Sequence, residues 1–203
     1  ITFHYTNACG VFADQNSKQF FDIISGKEKS FSYERKNYEW LSPNRGPGKK
    51  IEGIAIGGNL ETFRDLLDVC QIKPRSWEDY ILFIEDIGVD LEGLHRIIIS
   101  LDQKKIFMHV KAVVLGRMNE KEFSRSWLKW GSVFGSEDKQ IDHMFEYLIS
   151  DVIEERIEDR DPLYLLKVDN LGHGVDSPMI IPIGAKTILH PSGKIEFMGP
   201  FVE

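Results

Sequence analysis

The 203-residue chain is 42% hydrophobic, 28% charged and 11% aromatic, which excludes disorder and supplies enough apolar material for one large domain with a substantial core. A formal net charge of -7 and a pI of about 5.4 repel phosphate backbones and anionic membranes, so neither nucleic acid nor a membrane surface is an expected partner. No apolar run approaches the roughly 18 to 20 residues that span a bilayer. The two cysteines, Cys9 and Cys70, are too few for a disulfide framework and lack metal-ligand spacing, which fits a reducing compartment.

In chain order, Ile1 to Tyr5 already alternates like a strand, with no methionine ahead of it, so residues are expected to precede it. Gln15 to Ile24 has an apolar helical face, and Ser30 to Arg35 alternates as a strand. Leu41 to Lys50, with Pro43, Gly46, Pro47 and Gly48, reads as an exposed loop. Ile51 to Ile56 is a strand running into a Gly57-Gly58-Asn59 turn. Asn59 is placed to cap the helix that Leu60, Phe63, Leu66, Leu67 and Cys70 imply.

Tyr80 to Ile84 is a continuous apolar strand of the kind buried on both faces, and it ends in Glu85-Asp86. Leu91 to Leu101 carries one apolar stripe, Val110 to Leu115 is a strand closed by Gly116, and Ile141 to Ile153 is the clearest amphipathic helix. Leu163 to Val168 is a strand leading to Gly172-His173-Gly174. Met179 to Leu189 and Lys194 to Phe197 form a final antiparallel pair about Pro191-Ser192-Gly193. The expected fold is α/β: a mixed sheet with flanking helices and antiparallel strands near the C-terminus.

A histidine between two glycines, just after a strand, can titrate near neutrality and lets another group come close. Glu85, at the end of a second buried strand, is the first candidate to orient it, since α/β sheets place functional groups at such ends. The structural alternatives are a packed loop histidine for His173 and, for Glu85, a solvated strand end or a helix-dipole partner. Gly57-Gly58 ahead of an N-cap offers backbone N-H groups and the positive end of a helix dipole to a carboxylate or oxyanion, although such a pair is more often a tight turn. Gly131 to Gly135 does not have the spacing of a nucleophile elbow, and His143 with Glu146 lacks a second pair for a di-metal site. The run from Glu154 to Asp161 mixes both signs and reads as a solvated helix end. His4, His95, His109 and His190 have no evident short-range partners.

Taken together, Ile56-Gly57-Gly58-Asn59-Leu60-Glu61-Thr62, Ile81-Leu82-Phe83-Ile84-Glu85-Asp86, and Gly172-His173 followed by Ile181-Pro182-Ile183-Gly184 resemble the C-terminal domain of the LD-carboxypeptidase family of serine peptidases. The similarity covers essentially the whole chain and leans toward the microcin C7 self-immunity (MccF-like) branch. It implies a cytoplasmic, typically dimeric enzyme that uses neither metal nor cofactor. Its Ser-His-Glu triad cleaves an amide bond beside a free carboxylate in a peptidoglycan peptide or an aminoacyl-nucleotide antibiotic. The resemblance maps the acid onto Glu85, the histidine onto His173, a substrate-contacting asparagine onto Asn59, and the turn presenting it onto Gly57 and Gly58. Gly174 departs from the threonine common in the MccF-like branch, which leaves the substrate type open.

The family's serine lies in an N-terminal domain that nothing here matches, so residues 1–203 are expected to be the C-terminal part of a longer enzyme and inactive alone. Two alternatives stand beside this reading. One is a non-catalytic binding or regulatory module of the same fold. The other is a self-contained hydrolase using Ser132 or Ser177.

Overall fold

In the computed structural model, which describes residues 14–34, 38–42, 46–69, 76–86, 91–118, 163–172 and 178–202, the apolar run at 80–84 is a central strand of one sheet. The elements in chain order are α1 (Asp14–Ile24), β1 (Ser30–Tyr33), β2 (Tyr38–Ser42), β3 (Ile51–Asn59), α2 (Leu60–Val69), a 3-10 turn at Trp77–Asp79, β4 (Tyr80–Asp86), α3 (Leu91–Gln103), α4 (Ile106–His109), β5 (Ala112–Met118), β6 (Tyr164–Val168), β7 (Lys186–Leu189) and β8 (Ile195–Met198). The strands are ordered β1-β8-β7-β3-β4-β5-β6-β2. β3, β4, β5 and β6 run parallel, while β7, β8 and β1 on one side and β2 on the other add antiparallel pairs. This is the mixed α/β architecture expected from the sequence.

Because successive strand residues face opposite sides of a sheet, the apolar strands feed two separate cores. Leu82, Ile84, Val113, Leu115 and Leu165 pack under Leu60, Phe63, Leu94, Ile97, Ile98 and Phe107 of the helices. Ile81, Phe83, Val114 and Leu166 pack on the other face with Trp40, Leu171, Met179, Ile181 and Phe197. On that second face the sheet curls: Trp40 Nε1 donates to Pro191 O at 3.1 Å, so β2 touches the turn between β7 and β8.

Four strands differ from expectation. β2 was not expected, and its last two residues, Leu41 and Ser42, begin the stretch read as a loop; Tyr38–Ser42 finds a partner in β6, more than 120 residues on. β3 continues through the glycine pair, and β5 through Gly116 to Met118. The expected strand from Met179 shortens to β7, since Pro182 has no N-H for a ladder and the chain turns there, with Ala185 N-H on Pro182 O at 3.0 Å. The expected opening strand, the helix at 141–153, the loop at 131–135, His143, Glu146, the run at 154–161, Ser132 and Ser177 lie outside the described residues. Among the described residues, no helix is long and apolar enough to cross a membrane.

Candidate active site

The carboxyl ends of the parallel strands bring together Asn59 of β3, Glu85 and Asp86 of β4, and the segment from Asp169 to Gly172 that follows β6. Such ends are where open α/β sheets bind ligands. Asn59 and Glu85 are direct register partners. Strand alternation continues the two cores to their last residues, so Glu85 follows Ile81 and Phe83, while Asp86 follows Leu82 and Ile84 onto the helical side.

Glu85 is fully buried, with 0% exposure, which overturns the reading of a solvated strand end. Its neighbour is Gly172. A Cβ there would lie 3.0 Å from Glu85 Oε2, and the φ of +109° suits glycine alone. The backbone around that glycine is tied at several points. Arg117 N-H donates to Leu171 O at 2.7 Å, Met179 N-H to Asn170 O at 2.8 Å, and Ile180 N-H to the Tyr33 hydroxyl at 2.9 Å. Tyr33 in turn donates to Gln19 of α1 at 3.2 Å. Gly116 allows the approach, since a Cβ there would stand 2.5 Å from Leu171 O. His173 lies outside the described residues, and so does Gly174.

Gly57 and Gly58 do not form a turn. Both pair with β4, opposite Phe83 and Ile84, with φ of +126° and +142°. The physical reason is close approach: a Cβ on Gly57 would stand 1.9 Å from Phe83 O. Asn59 caps α2 as expected, its Oδ1 accepting from Thr62 N-H at 3.0 Å and from Thr62 Oγ1 at 3.1 Å.

Sequence reasoning offered the first turn of α2 to an outside anion. Instead, Glu61 N-H donates to Asp86 Oδ2 at 3.1 Å, so a carboxylate of the protein itself occupies that position. Asp86 is 1% exposed. Its carboxyl is pushed up to about 6, first by burial and then by the negative charges of Glu61 and Glu85, against the opposing hydrogen bonds from Glu61 N-H and the Asn59 side chain. Asp86 carries no role in the sequence motifs above; the available signal is a second acid at the end of a buried strand.

Elsewhere, His190 Nε2 meets Glu196 Oε2 at 3.0 Å across the β7–β8 hairpin, and His109 Nδ1 lies 3.6 Å from Glu78 Oε1. Both histidines have the partners that short-range reading did not find. Among the described residues no group of three or more His, Cys, Asp or Glu could hold a metal ion.

A buried acid thus stands at the end of a parallel strand of an α/β sheet, against the Asp169 to Gly172 segment. The sequence profile of the LD-carboxypeptidase C-terminal domain matches residues 52–189, and the chain belongs to that peptidase family.

Solved structures share the fold. The microcin C7 self-immunity protein MccF, as an inactive mutant without ligand, is 16% identical with a TM-score of 0.64, over 94% of this chain and 56% of that one. Muramoyltetrapeptide carboxypeptidase from Oxalobacter formigenes is 21% identical with a TM-score of 0.60, over 93% and 55%. MccF in complex with aspartyl sulfamoyl adenosine is 18% identical with a TM-score of 0.61, over 96% and 58%. The chain thus spans a little over half the length of these structures. No curated protein sequence matches it at a significant level.

Proposed function

We propose that this chain supplies the acid and the base of a Ser-His-Glu carboxypeptidase, with Glu85 orienting His173. The observation that carries this is the packing of Gly172, the residue immediately before His173, on the buried Glu85 carboxyl group. A carboxylate paired with the histidine accepts a hydrogen bond from its Nδ1-H, fixes the tautomer and stabilises the imidazolium as the base takes a proton from a serine hydroxyl. The serine then attacks the amide carbonyl, and the imidazolium returns the proton to the leaving amine.

The nucleophile is proposed to come from a further, N-terminal domain, as the length of the matched structures supports. Asn59, presented by Gly57 and Gly58 at the end of β3, contacts the substrate. The substrate is a peptide or aminoacyl nucleotide with a free carboxylate beside the scissile amide. A solved relative is described in complex with aspartyl sulfamoyl adenosine, and another as a muramoyltetrapeptide carboxypeptidase. The enzyme is expected to act as a cytoplasmic homodimer.

The test is hydrolysis of an LD-tetrapeptide and of an aminoacyl sulfamoyl adenylate by the full-length protein. Glu85→Gln and His173→Ala should each lower kcat by about a hundredfold or more. Undiminished turnover in both variants would overturn the assignment.

A further inference from the structure

One hydroxyl ties β1 to the chain beside the candidate site. Tyr33 accepts from Ile180 N-H at 2.9 Å and donates to Gln19 Oε1 of α1 at 3.2 Å. Filling both roles fixes the direction of the O-H bond: the proton points at Gln19, and a lone pair is left for the amide. The preceding residue, Met179, returns the chain to Asn170 O through its own N-H at 2.8 Å. In sequence, His173 lies between Gly172, which packs on Glu85, and this pair of anchored residues.

The ring that carries the hydroxyl is held from two sides. Phe31 meets Tyr33 edge-on with ring centroids 5.8 Å apart, and Phe197 of β8 meets it at 6.3 Å. Phe197 also packs on Phe83 of β4 at 5.8 Å, and Phe83 shares its sheet face with Glu85. The acid and the tether therefore stand on one aromatic stack, with Phe197 between the strand of Glu85 and the ring of Tyr33. Packing against phenylalanines asks for a ring alone; the hydroxyl is the part that serves Ile180.

We propose that Tyr33 is a positioning residue for the base: its hydroxyl, mounted on the same rings as the strand of Glu85, fixes the chain beyond His173 so that the imidazole is held against that acid. This rests on the reading that Glu85 and His173 work as a pair. Gly172 anchors the histidine on one side and Ile180 on the other. Releasing one anchor disturbs reacting geometry, which costs rate rather than substrate affinity.

Tyr33→Phe in the full-length protein keeps the ring and deletes only the hydroxyl. kcat for an LD-tetrapeptide should fall about tenfold while KM stays within about threefold. Gln19→Leu keeps the acceptor for Ile180 but frees the hydroxyl to rotate, and should lower kcat about threefold. Amide exchange at Ile180 should quicken about tenfold in Tyr33→Phe and stay unchanged at Ala185, whose N-H donates to Pro182 O. By NMR the His173 imidazole should titrate lower in Tyr33→Phe than in the wild type, because a carboxylate held beside it favours the imidazolium. Wild-type kcat in both variants, unchanged exchange at Ile180, or an unshifted His173 titration would overturn the proposal. Glu85→Gln, titrated in the same way, separates the two readings. If it leaves His173 unmoved, the Glu85–His173 pair fails; if it lowers the titration and Tyr33→Phe does not, only the tether fails. Exchange and titration need no substrate, so they decide the proposal even if the wild-type protein hydrolyses nothing.

Discussion

Gly172 lies with its backbone against the Glu85 carboxyl group, so that a Cβ there would stand 3.0 Å from Oε2 and 3.1 Å from the Glu85 Cβ. Gly172→Ala therefore moves either the acid or the loop, and it forces alanine to a φ of +109°. We expect a loss of about 1–3 kcal/mol in stability and a fall in kcat of about tenfold or more, because displacement of about 1 Å is enough to disturb reacting geometry. Thermal unfolding and steady-state kinetics of the variant check both. Unchanged kcat would separate Glu85 from the chemistry.

Asp86 links stability to pH. Its folded-state value, raised from 3.8 to about 6, means that the folded protein binds the proton more tightly than the unfolded chain does. The resulting stabilisation is fully present below about pH 3.8 and is lost as pH rises through about 6. Asp86→Asn does not titrate, so its stability relative to wild type should improve from pH 4 to pH 7, by up to about 3 kcal/mol. Urea unfolding of both proteins at the two pH values measures this difference; a constant difference would contradict it.

Gly57 tolerates no side chain. With Phe83 O 1.9 Å from the position of a Cβ, Gly57→Ala must push β3 away from β4 in the middle of the sheet. A loss of more than about 3 kcal/mol is expected, from overpacking and backbone strain together. Soluble yield and melting temperature report it, and a variant as stable as wild type would refute the packing described.

Asn59 separates capping from recognition. Asn59→Ala removes the acceptor for Thr62 and should cost about 1 kcal/mol of stability. Asn59→Asp keeps that acceptor but replaces the donor with a negative charge beside Asp86 and Glu85. The restored cap is opposed by like-charge repulsion in a buried site, so this variant too should melt below wild type, and it should bind substrate worse, with KM raised at least as much as in Asn59→Ala. If Asn59→Asp binds substrate as well as wild type, Asn59 does not donate to it.

The parts of the fold visible in the sequence are those that local pattern dictates. The unbroken run Tyr80 to Ile84 announced a strand buried on both faces, and its end marked Glu85. β2 was hidden because its stability comes from β6, far along the chain, while nearby prolines and glycines suggested a loop. The glycine pair was misplaced for a related reason: its need for glycine arises from the Phe83 carbonyl on another strand, which no local window contains. The pairing of His190 with Glu196 likewise depends on hairpin register. Asp86 was in plain view, but its partner is the backbone of α2, and a backbone N-H leaves no mark in a sequence.

β1 pairs with β8, from Ser30 opposite Met198 to Tyr33 opposite Ile195, and Gly199 N-H reaches Lys29 O at 2.8 Å. The earliest strand described here therefore waits for the latest one. On the ribosome, β1 emerges well before its neighbour, and its hydrogen-bonding edge stays open until residues 195–198 have been made. Such distant pairing slows folding and lengthens the interval in which the nascent chain exposes an unpaired strand. The sheet can close only after Met198 has left the exit tunnel.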